Sequence, residues 1–165
     1  MTANLTNQSG AIVADRIDCQ GIYRPIRFHF PAGLVLAKSA TFSQAPQGPP
    51  TPVMVGDGTN PANYVMQGGT HTFNDGLIIA SNSVFAGCGT VAGSVTNLGT
   101  ILVGDGCDVI FSNSVFNRGT IIATNGAVHF LAPFLNDGTL IANSTIIALR
   151  APGLAARPNP VRFRV

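Results

Sequence analysis

The side chains that could carry acid–base or metal chemistry are few: seven aspartates, three histidines and three cysteines, with no glutamate anywhere. Carbohydrate cleavage on a β scaffold needs clustered carboxylates on one outer face. The acids are Asp15, Asp18, Asp57, Asp75, Asp105, Asp108 and Asp137. Asp75 and Asp137 fill the middle of an Asn-Asp-Gly step, but Leu98 and Arg118 fill that slot in the intervening copies. The slot therefore reads as a turn position, not half of a catalytic pair. Asp105 and Asp108 flank Cys107 and have the chemistry to hold a cation, though a solvated turn is the simpler reading. No regularly repeated Asp-rich turn of the calcium-binding kind occurs.

His29, His71 and His129 are scattered, and a surface role is expected over ligation. His129 lies between Val128 and Phe130, so strand alternation points it outward. No Gly-x-Ser-x-Gly elbow appears. Gly56-Asp57-Gly58 and Gly104-Asp105-Gly106 lack the Lys-Ser/Thr of a phosphate loop. Cys19, Cys88 and Cys107 include no CxxC pair, so zinc is not expected. Cys88 and Cys107 stand 19 residues apart. They fit either two small residues filling a corner or a disulfide between neighbouring repeats. The expectation is a chain that is not an enzyme and uses no cofactor or metal.

Composition narrows the elements that would display these residues. Charged residues make up 10% of the 165-residue chain and hydrophobic residues 45%. The charged share is far below the roughly 25% of an ordinary soluble domain. Such a surface suits a protein covered by copies of itself or by a partner. The net charge is +2, and no basic stripe interleaved with aromatics exists, so nucleic acid is not an expected partner. No stretch reaches the roughly 18 apolar residues of a membrane span. Gly, Ser, Thr and Asn are abundant while Glu is absent and Lys38 is the only lysine, which disfavours long helices. The class expected is all-β with many turns.

An internal repeat sets the architecture. Asn74-Asp75-Gly76-Leu77-Ile78 returns as Asn97-Leu98-Gly99-Thr100-Ile101, as Asn117-Arg118-Gly119-Thr120-Ile121 and as Asn136-Asp137-Gly138-Thr139-Leu140. The Asn residues are 23, 20 and 19 apart. Each step reads as a turn, with Gly76, Gly99, Gly119 and Gly138 tolerating φ > 0. A β-branched strand, a second turn and a second strand follow. Units this small cannot bury an apolar face alone, whereas stacking them at about 4.8 Å can. The pattern predicts a β-solenoid of about four rungs over residues 70–150. Ile101, Val103, Val109, Phe111, Ile121, Ala123, Val128, Phe130, Leu140, Ala142 and Leu149 are expected inside. Asn74, Asn97, Asn117 and Asn136 are expected to form a ladder at one corner. Residues 1–69 lack the repeat and read as a separate N-terminal β segment with a Pro-rich connector at 45–52. Residues 151–165 read as an extended tail, in which Val161, Phe163 and Val165 alternate as an assembly strand.

The stretch from Phe116 to Ala132, FNRGTIIATNGAVHFLA, resembles the repeats of filamentous-haemagglutinin-type exoproteins and autotransporter passengers. That resemblance covers about residues 70–150. It implies a right-handed parallel β-helix on the outside of a bacterium, serving as a stalk or adhesive surface. Family members are usually far longer, so this chain would gain length by polymerising. The function expected is a structural subunit that assembles with itself, head to tail, into an extracellular fibre, without inserting in a membrane. The segment MTANLTNQSG lacks the basic and apolar parts of a secretory signal, so export implies a leader already removed or another route. Two alternatives are a non-catalytic adhesin that binds glycans or a host surface, and an intracellular bactofilin-like polymer.

Overall fold

The computed structural model describes residues 4–6, 10–21, 27–44, 48–143 and 146–149. Every regular element in them is a strand. In chain order these are β1 (Asn4–Thr6), β2 (Ala11–Gly21), β3 (Arg27–Phe30), β4 (Gly33–Gln44), β5 (Val53–Val55), β6 (Ala62–Phe73), β7 (Leu77–Ile79), β8 (Ser83–Ala92) and β9 (Val95–Asn97). Then come β10 (Thr100–Val103), β11 (Asp108–Phe111), β12 (Val115–Asn117), β13 (Thr120–Thr124), β14 (Ala127–Phe130), β15 (Phe134–Asn136), β16 (Thr139–Asn143) and β17 (Ile146–Leu149).

The chain is a parallel β-solenoid. One sheet has seven strands in the order β1-β3-β5-β7-β9-β12-β15, one from each rung, so the coil makes six full turns between them. The second sheet takes one long strand from each of the first four rungs (β2, β4, β6, β8). Above β8 it takes two short strands from each rung, β10 with β11, β13 with β14 and β16 with β17. Side chains alternate, and the buried set faces a single narrow interior.

The interior is built from columns of equivalent residues. One runs Ile12, Val35, Tyr64, Phe85, Ile101, Ile121, Leu140. A second runs Ile17, Ala40, His71, Val91, Phe111, Phe130. Aromatic rings stack along the axis: Phe42 on Phe73 at 5.5 Å, Tyr64 on Phe85 at 5.2 Å and Phe111 on Phe130 at 5.4 Å. Of the residues expected inside, Ile101, Val103, Val109, Phe111, Ile121, Ala123, Val128, Phe130 and Leu140 are buried, and Ala142 is half-buried. Leu149 continues the column of Phe130 in backbone register.

The coil is not confined to residues 70–150. It begins at β1, and residues 4–69 supply its first three rungs instead of a separate segment. Register steps along the first sheet explain why no repeat shows there. They are 23, 25 and 24 residues up to β7 (Asn4 to Arg27, His29 to Met54, Val53 to Leu77). They shorten to 18, 20 and 19 from β7 to β15 (Leu77 to Val95 to Val115 to Phe134). The longer rungs carry β-bulges, between Ala37 and Ala40 and between Gln67 and Thr70, that bend one strand where later rungs use a turn between two. The Pro-rich connector enters the loop between β4 and β5, of which residues 48–52 are described. The tail 151–165, with Val161, Phe163 and Val165, lies outside the described residues.

Candidate functional site

Two features stand out: a polar corner and, among the described residues, two unpaired strand edges. At the corner between the two sheets, Asn97, Asn117 and Asn136 are in register on consecutive rungs. Asn97 Nδ2 donates to Asn117 Oδ1 at 2.7 Å and to the Thr120 carbonyl at 3.1 Å. Asn117 Nδ2 repeats the pattern toward Asn136 Oδ1 at 2.6 Å and the Thr139 carbonyl at 3.2 Å. Asn97 and Asn117 thus each satisfy the carbonyl of the strand residue that follows the turn on the rung above. Asn97 and Asn117 are wholly buried.

Asn74 does not join this ladder. The residue beneath Asn97 is Ile79, and Leu77 pairs with Val95, not with a counterpart of Thr100. The Asn74-Asp75-Gly76 turn leads from the second sheet into the first, whereas the later three steps lead from the first into the second. A turn followed by an apolar strand is the same local signal at either corner.

The glycines of the step also act differently than expected. Gly76 has φ of +97°, as a left-handed turn requires, but Gly99, Gly119 and Gly138 do not adopt positive φ. Close approach of the rung below excludes a side chain there. A Cβ on Gly119 would collide with the Gly99 carbonyl oxygen, and one on Gly138 with the Gly119 carbonyl oxygen. Stacking at strand spacing thus selects glycine without any demand on φ.

Cys88, in the bend of β8, and Cys107, in the turn between β10 and β11, form a disulfide with Cα atoms 5.0 Å apart. The bond joins adjacent rungs where the single long strand gives way to two short ones. Cys19 is a free thiol, half-buried on β2, and burial followed by the charge of Asp18 pushes its pKa up.

The aspartates do not converge. Asp57 accepts bonds from the Thr59 and Asn60 amides and the Asn60 side chain, which hold its carboxyl down to about 2. Asp75 accepts from the Thr51 amide and Asp108 from the Ala127 amide. Asp15 pairs with Lys38, and Asp18 with Arg16. Asp105 sits in a left-handed turn, and Asp137 is exposed at the ladder corner. Leu98 and Arg118 are exposed at that corner too, and the Arg118 guanidinium lies 4.7 Å from the Phe116 ring centre.

His71 is not on the surface; it is fully buried in an interior column. Its Nε2 lies 3.2 Å from the Gly68 carbonyl, which can only accept, so Nε2 carries the proton. Nδ1 then accepts from the Tyr64 hydroxyl at 2.9 Å, and the ring is neutral. Burial depresses the His71 pKa. As pH falls, the unfolded chain takes up the proton first. The stabilising contribution is complete above about pH 6.5, the ordinary imidazole value, and is lost as pH falls through it toward the folded pKa. The unfolding free energy read by urea denaturation is expected to drop between pH 7.5 and 5.5, by at most about 1.4 kcal/mol per pH unit from this group. His71→Gln should flatten that slope. An unchanged slope would show that His71 titrates as freely folded as unfolded.

The open ends complete the picture. No family model, no curated protein and no solved structure matches this chain. What its surfaces can do therefore rests on their geometry. Among the described residues, β1 and β2 have no strand beneath them, and β15, β16 and β17 have none above. Interior side chains become accessible at both limits. Ile12, Ala14, Ile17 and Cys19 are half-buried at the lower end, as are Phe134 and Ala142 at the upper, whereas their counterparts on the central rungs, such as Phe111 and Ile121, are closed off.

Proposed function

We propose that this protein is a structural subunit that polymerises head to tail into an extracellular fibre, with rungs of the filamentous-haemagglutinin and autotransporter β-helix type but length gained by assembly instead of by added repeats. The observation that carries this reading is a pair of parallel strand edges with no neighbouring strand among the described residues, each exposing half-covered interior side chains. A strand edge recruits another strand. Every rung runs in the same direction, so the two ends differ, and the edge of one copy fits the opposite edge of another. Such a contact is heterologous and does not close on itself, which gives a filament instead of a dimer. The sparse charge, 10% of residues, suits surfaces that spend their time covered. The Cys88–Cys107 disulfide fits an oxidising, extracytoplasmic setting.

Electron microscopy of the purified full chain tests the reading. Filaments are expected for the wild type. Leu135→Lys combined with Ile141→Lys places charges on the outward faces of β15 and β16, a device by which natural edge strands resist pairing. Leu135 is 54% exposed, so its replacement should leave the fold intact. This variant should give discrete particles with an unchanged far-ultraviolet circular dichroism spectrum. Monodisperse wild-type particles at high concentration would overturn the proposal.

A further inference from the structure

The two ends match in more than polarity. β1 and β15 each span three residues. In the register of the columns, the stretch 139–149 of β16 and β17 stands over Ala11–Ile17 of β2. The columns can also be followed beyond the upper rung. Phe134 tops a column of Val115, Val95, Leu77, Val53, Phe28 and Leu5. Leu140 tops the column that starts at Ile12. Leu149 holds the top register position of the column that starts at Ile17.

A third column runs along the outside. Val13, Leu36, Val65, Ala86, Leu102, Ile122 and Ile141 are mutually in register and apolar on every rung. Its lower member, Val13, is 68% exposed, the highest value among the large hydrophobic residues described.

We infer that the end-to-end contact is an in-register continuation of the coil, in which β15–β17 of one copy take β1 and β2 of the next. This rests on the polymer reading above and specifies its interface. Phe134 then lies over the next copy's Leu5, Leu140 over Ile12, Leu149 over Ile17 and Ile141 over Val13. Each pair is apolar on apolar, and each extends a column that is already apolar at both of its limits.

One mismatch has a precedent inside the chain. From Ile12 to Ile17 is five residues, and from Leu140 to Leu149 is nine, so the upper bend is four residues longer. The same increment occurs between adjacent rungs, from Phe85–Val91 to Ile101–Phe111. The coil absorbs it there as a turn, and the Cys88–Cys107 bond spans it. The charged residues of β2 do not oppose the contact. Asp15 and Arg16 sit at that bend, and both are paired, with Lys38 at 2.7 Å and Asp18 at 3.0 Å.

Disulfide trapping tests the register. In a Cys19→Ser background, a chain carrying Val13→Cys is mixed with one carrying Ile141→Cys and oxidised. Within one chain these positions are six rung steps apart, about 29 Å at strand spacing, so no internal bond can form. Across an in-register contact they are neighbours at about 4.8 Å, inside the Cα range of a disulfide. A covalent heterodimer is expected from the mixture and not from either variant alone. Leu135→Cys mixed with Thr6→Cys should also cross-link, because both hold the same register position of the first sheet. Leu135→Cys mixed with Val13→Cys, on different sheets, should not. Filaments in which neither matched pair cross-links, or in which the mismatched pair does so equally well, would overturn the register while leaving the polymer reading standing. Wild-type chains that form no filaments would remove both.

Discussion

Replacing Phe130 with alanine is expected to cost about 4 kcal/mol, the scale of a phenylalanine lost from a closed core. Phe130 is 1% exposed, and its ring lies 5.4 Å from Phe111 and 4.0 Å from Phe134, nearly parallel to both. It is the middle of a three-ring stack that spans the upper three rungs. A globular core can shift neighbouring elements to fill part of such a cavity. The walls of this interior are fixed by strand pairing on every rung, so little relaxation is available. Phe130→Leu keeps most of the volume and should cost about 1 kcal/mol. Phe134→Ala, at the half-exposed end of the stack, should fall between them. Urea denaturation of the three variants at constant protein concentration reads the series. A loss under about 1 kcal/mol for Phe130→Ala would mean that the rings do not pack as a continuous column. Because each rung touches only its neighbours, the damage should concentrate in the upper rungs, with hydrogen-exchange protection lost first from β13 to β16.

Much of this architecture is legible in the chain, but unevenly. From Asn97 to Leu140 strict alternation, the turn glycines and a step of 19 or 20 residues all agree, and the interior residues follow by counting. Counting fails where the backbone inserts a bulge. In β6 the inward set begins with Ala62, Tyr64 and Met66, all even-numbered, yet His71 and Phe73 are also inward. The shift at Gly68 and Gly69 reverses parity, and only the Gly-Gly pair announces it. That reversal carries His71 from the surface to the core. In β4 the set passes from Val35 and Ala37 to Ala40 and Phe42 with no glycine to mark it. Asn74 misleads in another way, because its turn has the right local sequence at the wrong corner. The first three rungs stay hidden because their steps of 23 to 25 residues are longer than the later ones and they lack the ladder asparagine. Their interior instead carries Phe28, Phe30, Phe42 and Tyr64, which fill it without a polar ladder.

The distinction between the two kinds of rung leads to the second large effect. Asn117→Val should cost about 4 kcal/mol, although the replacement is apolar, of similar size and placed in a buried strand. Removing the amide takes one acceptor from Asn97 Nδ2 and the donor from both Asn136 Oδ1 and the Thr139 carbonyl. Each buried polar group left short costs about 1–3 kcal/mol, and hydrophobic transfer returns only part of the sum. Asn97→Val should cost less. It sits at the foot of the ladder on Ile79, and its own Oδ1 already lacks a protein partner, so only Nδ2 bonds are lost. The triple replacement of Asn97, Asn117 and Asn136 by valine removes the stack as a unit. It should cost less than the three single losses combined, because partners left stranded in each single variant disappear together. Urea denaturation of the four variants reads this comparison. Strict additivity would mean that the three amides act as separate turn caps, not as one connected ladder.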